Sequence, residues 1–100
     1  MPLLEQTTWT LPVGWQSQLP NSLLTTDAQK MQFVLKLGAW NVAQKTGGPF
    51  AAAIFCRETA ELISIGVNRV VSLSCSLAHA EAVAIALAQQ RLQTHDLTHL

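Results

Sequence analysis

From Ala78 to Ala88 the only polar side chains are His79 and Glu81, and Ala82-Val83-Ala84-Ile85-Ala86-Leu87-Ala88 is apolar on every side. A helix with no polar face is normally buried, so this segment predicts a core helix covered by other layers of one domain. The imidazole and carboxylate at its mouth then need partners, because an unpaired charge taken out of water is costly or is neutralised. Residues two apart do not share a helical face. In a first turn, however, both bracket a point ahead of the helix end, where free backbone N–H groups converge. That arrangement suits a metal-bound water with a proton shuttle beside it. A His and a Glu near a helix start are more often a satisfied imidazole and a carboxylate complementing the helix dipole, so the surroundings have to decide.

One hundred residues suffice for one small domain, burying about two-thirds of the surface of the unfolded chain, and do not suffice for two. Apolar residues make up 49% and charged residues 12%, which predicts a rich core, a sparsely charged surface and some surface covered by a partner or by further chain. The net charge is zero, and Lys30, Lys36, Lys45, Arg57, Arg69 and Arg91 are scattered. This argues against an electrostatically driven nucleic-acid or membrane-surface binder. Met1-Pro2-Leu3-Leu4-Glu5 has no basic leader character, and no segment approaches the ~18 apolar residues of a membrane span. The expectation is a soluble cytoplasmic protein, in which Cys56 and Cys75 are two buried thiols.

Residues 1–24, with Pro2, Pro12, Gly14 and Pro20 around Trp9 and Trp15, show no sustained period and predict an irregular arm whose tryptophans pack on the domain or on another subunit. Residues 25–100 then form the domain. Thr25 or Thr26 caps a helix with Asp27 in its first turn, and Met31, Val34, Leu35 and Val42, widened by Phe33, Leu37 and Trp40, form its apolar stripe to about Thr46. Gly47-Gly48-Pro49 breaks it. Phe50 to Cys56 is short and wholly apolar, as a strand covered on both faces should be. Arg57-Glu58-Thr59-Ala60 is a polar turn, and Glu61 to Val67 is a second strand, antiparallel to the first. After a Ser-rich loop a helix runs from Ala78 to about Gln93. Helix, hairpin and helix make an incomplete layer, so the pattern reads as the first half of a larger α/β sandwich.

Gly48-Pro49-Phe50-Ala51-Ala52, Gly66-Val67-Asn68-Arg69-Val70 and Ala78-His79-Ala80-Glu81, in that order on strand, strand end and helix start, resemble the cytidine and deoxycytidylate deaminase superfamily. Within it they most resemble bacterial nucleobase deaminases of the guanine deaminase type. The resemblance spans about Gln29 to Leu97, and Gly47-Gly48-Pro49-Phe50, Asn68-Arg69-Val70-Val71 and His95-Asp96-Leu97 follow the pattern. It implies a three-layer α/β/α fold of which helix, β-hairpin and helix are present, and a zinc-dependent hydrolytic deaminase of a purine nucleobase, guanine being favoured. It also implies a homodimer in full-length form. His79 matches a zinc ligand, and Glu81 the general acid/base that stays off the metal. Ala80 matches the position whose backbone N–H points at the substrate, Asn68 an asparagine that hydrogen-bonds the base, and Phe50 an aromatic lining the base pocket.

The departures are specific. Ala51 stands where the family often has Gly, and Ser74-Cys75-Ser76-Leu77 precedes the histidine where Asp-Pro-Thr is usual. Neither Cys75, His95 nor His99 matches a ligand position. No Pro-Cys-x-x-Cys follows Glu81, whereas a catalytic zinc ordinarily takes three protein ligands and a water. The isolated 100 residues are therefore expected to be inactive. Other readings are a non-catalytic truncated remnant or interaction subunit, a chain that pairs with a separate polypeptide carrying the Cys pair, and a deaminase of tRNA adenosine or of the cytosine type, which the scattered charge disfavours.

Overall fold

The computed structural model describes residues 1–98. Four elements follow the N-terminal arm: α1 (Asp27–Ala43), β1 (Ala51–Phe55), β2 (Leu62–Val67) and α2 (Ala80–Leu92). The chain is α/β in the predicted order of helix, hairpin and helix. At the start of α1 the Thr26 hydroxyl accepts from Gln29 N–H at 3.1 Å, and the Gln29 carboxamide oxygen accepts from Thr26 N–H at 3.2 Å. This reciprocal cap, with Asp27 beside it, fixes the helix start. The helix stops at Ala43, short of the predicted Thr46. Lys45 takes a left-handed φ of 60°, and its N–H and that of Thr46 close onto Val42 O and Asn41 O.

β1 and β2 pair antiparallel, Ala51 opposite Val67, Ala53 opposite Ile65 and Phe55 opposite Leu62, with a bulge between Ile54 and Phe55. The bulge leaves Ile63 as the extra residue and resets the alternation. Leu62, Ile65 and Val67 therefore pack with Phe33 and Leu37 of α1, whereas Ser64 and Gly66 meet α2. The sheet thus separates the two helices, the layering expected of part of an α/β/α sandwich.

The α2 contact is unusually close. A Cβ on Gly66 would overlap the carbonyl oxygen of Ala80 and stand 2.6 Å from Ala84 N. Ser64 Oγ donates to Ala84 O at 2.7 Å. Ala80, Val83, Ala84 and Ala88 are the buried residues of α2, so its alanines serve backbone approach as much as apolar burial. Arg91, in the last turn, reaches back to the carbonyls of Leu62 and Ile63 at 3.0 and 2.9 Å.

Several expectations are corrected. α2 begins at Ala80 rather than Ala78 and is buried on one side only, with Ile85 exposed. β1 is half-buried throughout rather than covered on both faces, and Phe50 lies outside it. Among the described residues no strand pairs with the other edge of β1. On α1 the buried residues are Phe33, Leu37, Gly38 and Asn41, while Met31, Leu35 and Val42 are exposed. The reason is again close approach: a Cβ on Gly38 would overlap the carbonyl oxygen of Pro49, so the helix turns its small residue to the following loop. Cys56 and Cys75 are free and half-buried rather than buried.

The arm is seated on its own chain. Trp15 and Leu11 pack against the α1-side core, and Arg69 Nε donates to Thr10 O at 2.9 Å. Arg69 is itself buried, which pulls its guanidinium below the usual value. No helix among the described residues is long and apolar enough to cross a membrane.

Replacing Gly66 by Ala should destabilise the protein by about 2 kcal/mol or more, because the obstructing atoms are helix backbone. Gly48→Ala, where the nearest atoms lie at 3.9 Å, should change stability by well under half of that. Urea unfolding of the two variants in the full-length protein checks this, and equal losses would contradict the packing described.

Candidate functional site

Three segments distant in sequence converge at one end of the hairpin. Phe50 immediately precedes β1 and Asn68 immediately follows β2; since Ala51 pairs with Val67, the two lie side by side, and Asn68 N–H donates to Phe50 O at 3.3 Å. The N-terminus of α2 arrives at the same end. Gly66 contacts its first turn, and Arg69 N–H donates to Ala78 O at 2.9 Å. Phe50, Asn68, His79, Ala80 and Glu81 are thereby brought to one edge of the structure.

His79 is the N-cap residue of α2, with extended φ and ψ of −71° and 159°, and its imidazole makes no capping hydrogen bond. Glu81 stands in the first turn, where a carboxylate is favoured by the helix dipole. Both side chains are exposed. The expectation of a charged pair held at the mouth of a buried helix is therefore corrected: the backbone of the first turn is packed against Gly66, but water reaches both side chains. Ala80 is buried against Gly66. Among the described residues, no group accepts from the first-turn N–H groups of Ala80 and Glu81, as is usual at a helix start.

Asn68 is half-buried and tightly held. Its Oδ1 accepts from Val70 N–H at 3.1 Å, a local turn of the kind asparagine favours, and its carbonyl accepts from Asn41 Nδ2 at 3.1 Å. With Oδ1 engaged, Nδ2 is left as a donor with no acceptor among the described residues. Phe50 is 71% exposed and presents an open aromatic face rather than a wall of a closed pocket. An apolar cleft under the arm, bounded by Leu11, Trp15, Leu62 and Arg91, includes none of these residues.

The sequence reading missed Asn41. It is fully buried, and it ties the Gly47-Gly48 loop to the end of β2. A signal was available: Phe33, Leu37 and Asn41 are spaced four apart, so a carboxamide falls on the one helical face that is buried.

The metal-ligand candidates do not assemble. Cys75 lies in the loop before α2, where its N–H donates to Val70 O and its carbonyl accepts from Ala78 N–H, and His95 is exposed, its carbonyl accepting from Gln89. Cys56 sits at the far end of the hairpin, where hydrogen bonds from the Thr59 hydroxyl, then from the Thr59 and Glu58 backbone, pull its thiol below the usual value. His99 lies outside the described residues. Among the described residues no group of three or more His, Cys, Asp or Glu side chains is placed to hold a metal ion. A catalytic zinc site takes three protein ligands, so among the described residues His79 and its neighbours do not make one.

No family model matches the chain, and no curated relative does. Solved structures do. The guanine deaminase from Nitrosomonas europaea superposes with a TM-score of 0.83 and 41% identity, over 97% of this chain and 53% of that one. A point variant of NE0047 in complex with 8-azaguanine gives 0.83 and 41%, over 98% and 54%. The guanine deaminase from Bacillus subtilis gives 0.66 and 27%, over 73% and 45%. In sequence and in fold this is a guanine-deaminase-like chain that spans about half the length of the solved structures it matches.

Proposed function

We propose that the chain is the N-terminal portion of a deaminase of a purine nucleobase, guanine in particular, with residues 25–100 the first part of the deaminase domain and 1–24 an N-terminal arm. The observation that carries this reading is the convergence of Phe50, Asn68, His79 and Glu81 at one end of the sheet, within a fold 41% identical to a guanine deaminase. In the proposed reaction water adds to the ring carbon that bears the amine, and ammonia leaves. Glu81 is the proton shuttle, taking a proton from the attacking water and delivering protons to the ring nitrogen and the departing amine. Its exposed position in the first turn leaves the carboxylate open to an attacking water. Asn68 Nδ2 donates to an acceptor on the base, the Ala80 N–H points at the substrate, and Phe50 covers a face of the ring. The ligand in the NE0047 complex, 8-azaguanine, is of the same chemical class as the substrate proposed.

Zinc supplies a nucleophilic water at neutral pH in this chemistry. His79 is its one ligand on this chain, and the others have to come from beyond these residues, in the same protein or a separate one. Without them the isolated chain is inactive. Homodimerisation and a cytoplasmic location complete the proposal; the apolar residues left exposed on α1, Met31, Leu35 and Val42, are consistent with covered surface in the assembled protein.

A second reading has its own observation. One candidate metal-ligand residue and a β1 edge with no partner strand, both among the described residues, are also what a non-catalytic remnant or interaction subunit would retain. The intact mass of the polypeptide in its source cell separates the two: a mass near 10.9 kDa favours the remnant or a two-chain enzyme, and one near a complete deaminase domain favours the enzyme.

Two further outcomes are expected. In the full-length protein Glu81→Gln should lower guanine turnover by roughly 10²- to 10⁴-fold with little change in stability, and undiminished turnover in steady-state assays would overturn the mechanism. The 100-residue chain, mixed with equimolar zinc and desalted, should retain no stoichiometric metal by elemental analysis, whereas the full-length protein should retain about one ion per chain. Tight zinc on the short chain would contradict the ligand assignment.

A further inference from the structure

We propose that Asn41 is a positioning residue for the base-binding end of the sheet: its buried carboxamide clamps the strand end that carries Asn68 to the loop that leads to Phe50. What those residues bind rests on the functional reading above; the clamp does not. Asn41 has 0% of its surface exposed, yet every polar atom of its side chain is engaged. Nδ2 donates to Gly48 O at 3.0 Å and to Asn68 O at 3.1 Å, using both of its hydrogens. Oδ1 accepts from the Thr46 hydroxyl at 2.6 Å. The orientation is determined by these partners, since a flipped amide would set its oxygen against two carbonyl oxygens. The network continues outward, with Ser72 Oγ donating to Thr46 O and so joining the loop beyond Asn68 to the same hub.

The surrounding chain is shaped to admit the clamp. A Cβ on Gly47 would overlap Asn68 O and stand 2.6 Å from Asn41 Nδ2, so the loop passes at a position that only glycine permits. No other side chain of similar volume does the same work. Leucine would leave the Gly48 and Asn68 carbonyls without their donor in a dry site, and aspartate would place a charge against both. The functional consequence follows from Asn68 itself. Its Oδ1 is pinned to Val70 N–H, so the direction of the free Nδ2 is set by the Asn68 backbone, and that backbone is what Asn41 holds.

The test uses Asn41→Asp in the full-length protein, read by amide hydrogen exchange and by kinetics. Exchange of the Asn68 amide, which donates to Phe50 O, should accelerate roughly tenfold or more relative to the amides of Ala52 and Gly66, the next hydrogen-bonded pair of the β1–β2 ladder. The KM for guanine and the Kd for 8-azaguanine should rise by about the same factor. A merely structural role would reduce the amount of active enzyme and leave both constants unchanged, which would overturn the proposal. If Asn41→Asp does not fold, Thr46→Val removes only the hydroxyl that orients the amide, and Asn68 exchange should accelerate about threefold. An Asn68 rate unchanged in the variants that fold overturns the clamp. If the parent protein neither deaminates guanine nor binds 8-azaguanine, the functional reading falls, and the exchange measurement still decides the clamp.

Discussion

The contact between Gly66 and the first turns of α2 governs the rest of the molecule. Helix and sheet meet there backbone to backbone, with the Ala80 carbonyl and the Ala84 amide occupying the space where a side chain would stand. Such proximity fixes the helix along its axis as well as across it, because only an alanine or glycine opposite Gly66 fits. Ser64, two residues earlier on the same face, adds a hydrogen bond to Ala84 O and removes the remaining freedom to slide. The helix start is therefore held against the last residues of β2. Asn68 lies two residues beyond Gly66 in the strand direction, and His79 caps the helix one residue before Ala80. A shift of one helical turn would break both the close contact and the Arg69 N–H bond to Ala78 O.

On the other face of the sheet the same device recurs with different groups. Gly38 lets α1 approach the loop at Pro49, and Gly47 lets that loop approach the end of β2. Where no side chain fits between backbones, only hydrogen bonds supply direction, and the buried carboxamide of Asn41 provides them. Polar groups removed from water contribute specificity when all their partners are present and cost stability when any is missing. No buried side-chain polar atom among the described residues lacks a partner. The best-braced parts of this chain are consequently the backbones at this end of the sheet, while the side chains of Phe50, His79 and Glu81, to which ligand contacts are assigned only under the proposed reading, project into solvent.

Much of this organisation was legible in the sequence. Thr26, Asp27 and Gln29 announce the start of α1, and Cys56 to Glu61 closes the hairpin around the polar turn as read. The three motif segments stand within two residues of the strand start, strand end and helix start that the sequence predicts, β1 opening at Ala51 and α2 at Ala80. What was not legible has a common cause. Period and hydrophobicity report side-chain burial, and the decisive contacts here are made by residues with little or no side chain. Of the apolar stripe expected on α1, Phe33 and Leu37 are buried and Val34 and Trp40 pack against them, whereas Met31, Leu35 and Val42 are exposed, because Gly38 and Asn41, which no count of apolar character selects, complete the buried face. The all-apolar α2 misled in the same way: its alanines fit a tight contact on one side, and Ile85 stands exposed on the other.

The division of chemistry along the chain follows from that geometry. Under the reading proposed here, recognition of a base needs a donor and a ring held at fixed separation, and a proton shuttle needs a carboxylate beside them. Each of these sits on a backbone segment that this chain braces internally, through Asn41, Gly47 and Gly66. A metal needs ligands that converge on a point, and His79 is braced only through its own backbone, as the cap of α2. Its imidazole makes no side-chain capping bond that would orient it, whereas metal-binding histidines ordinarily have their second nitrogen held by a partner. The recognition half of the site is thus preorganised by these residues, and the orientation of His79 is left to whatever supplies the remaining ligands.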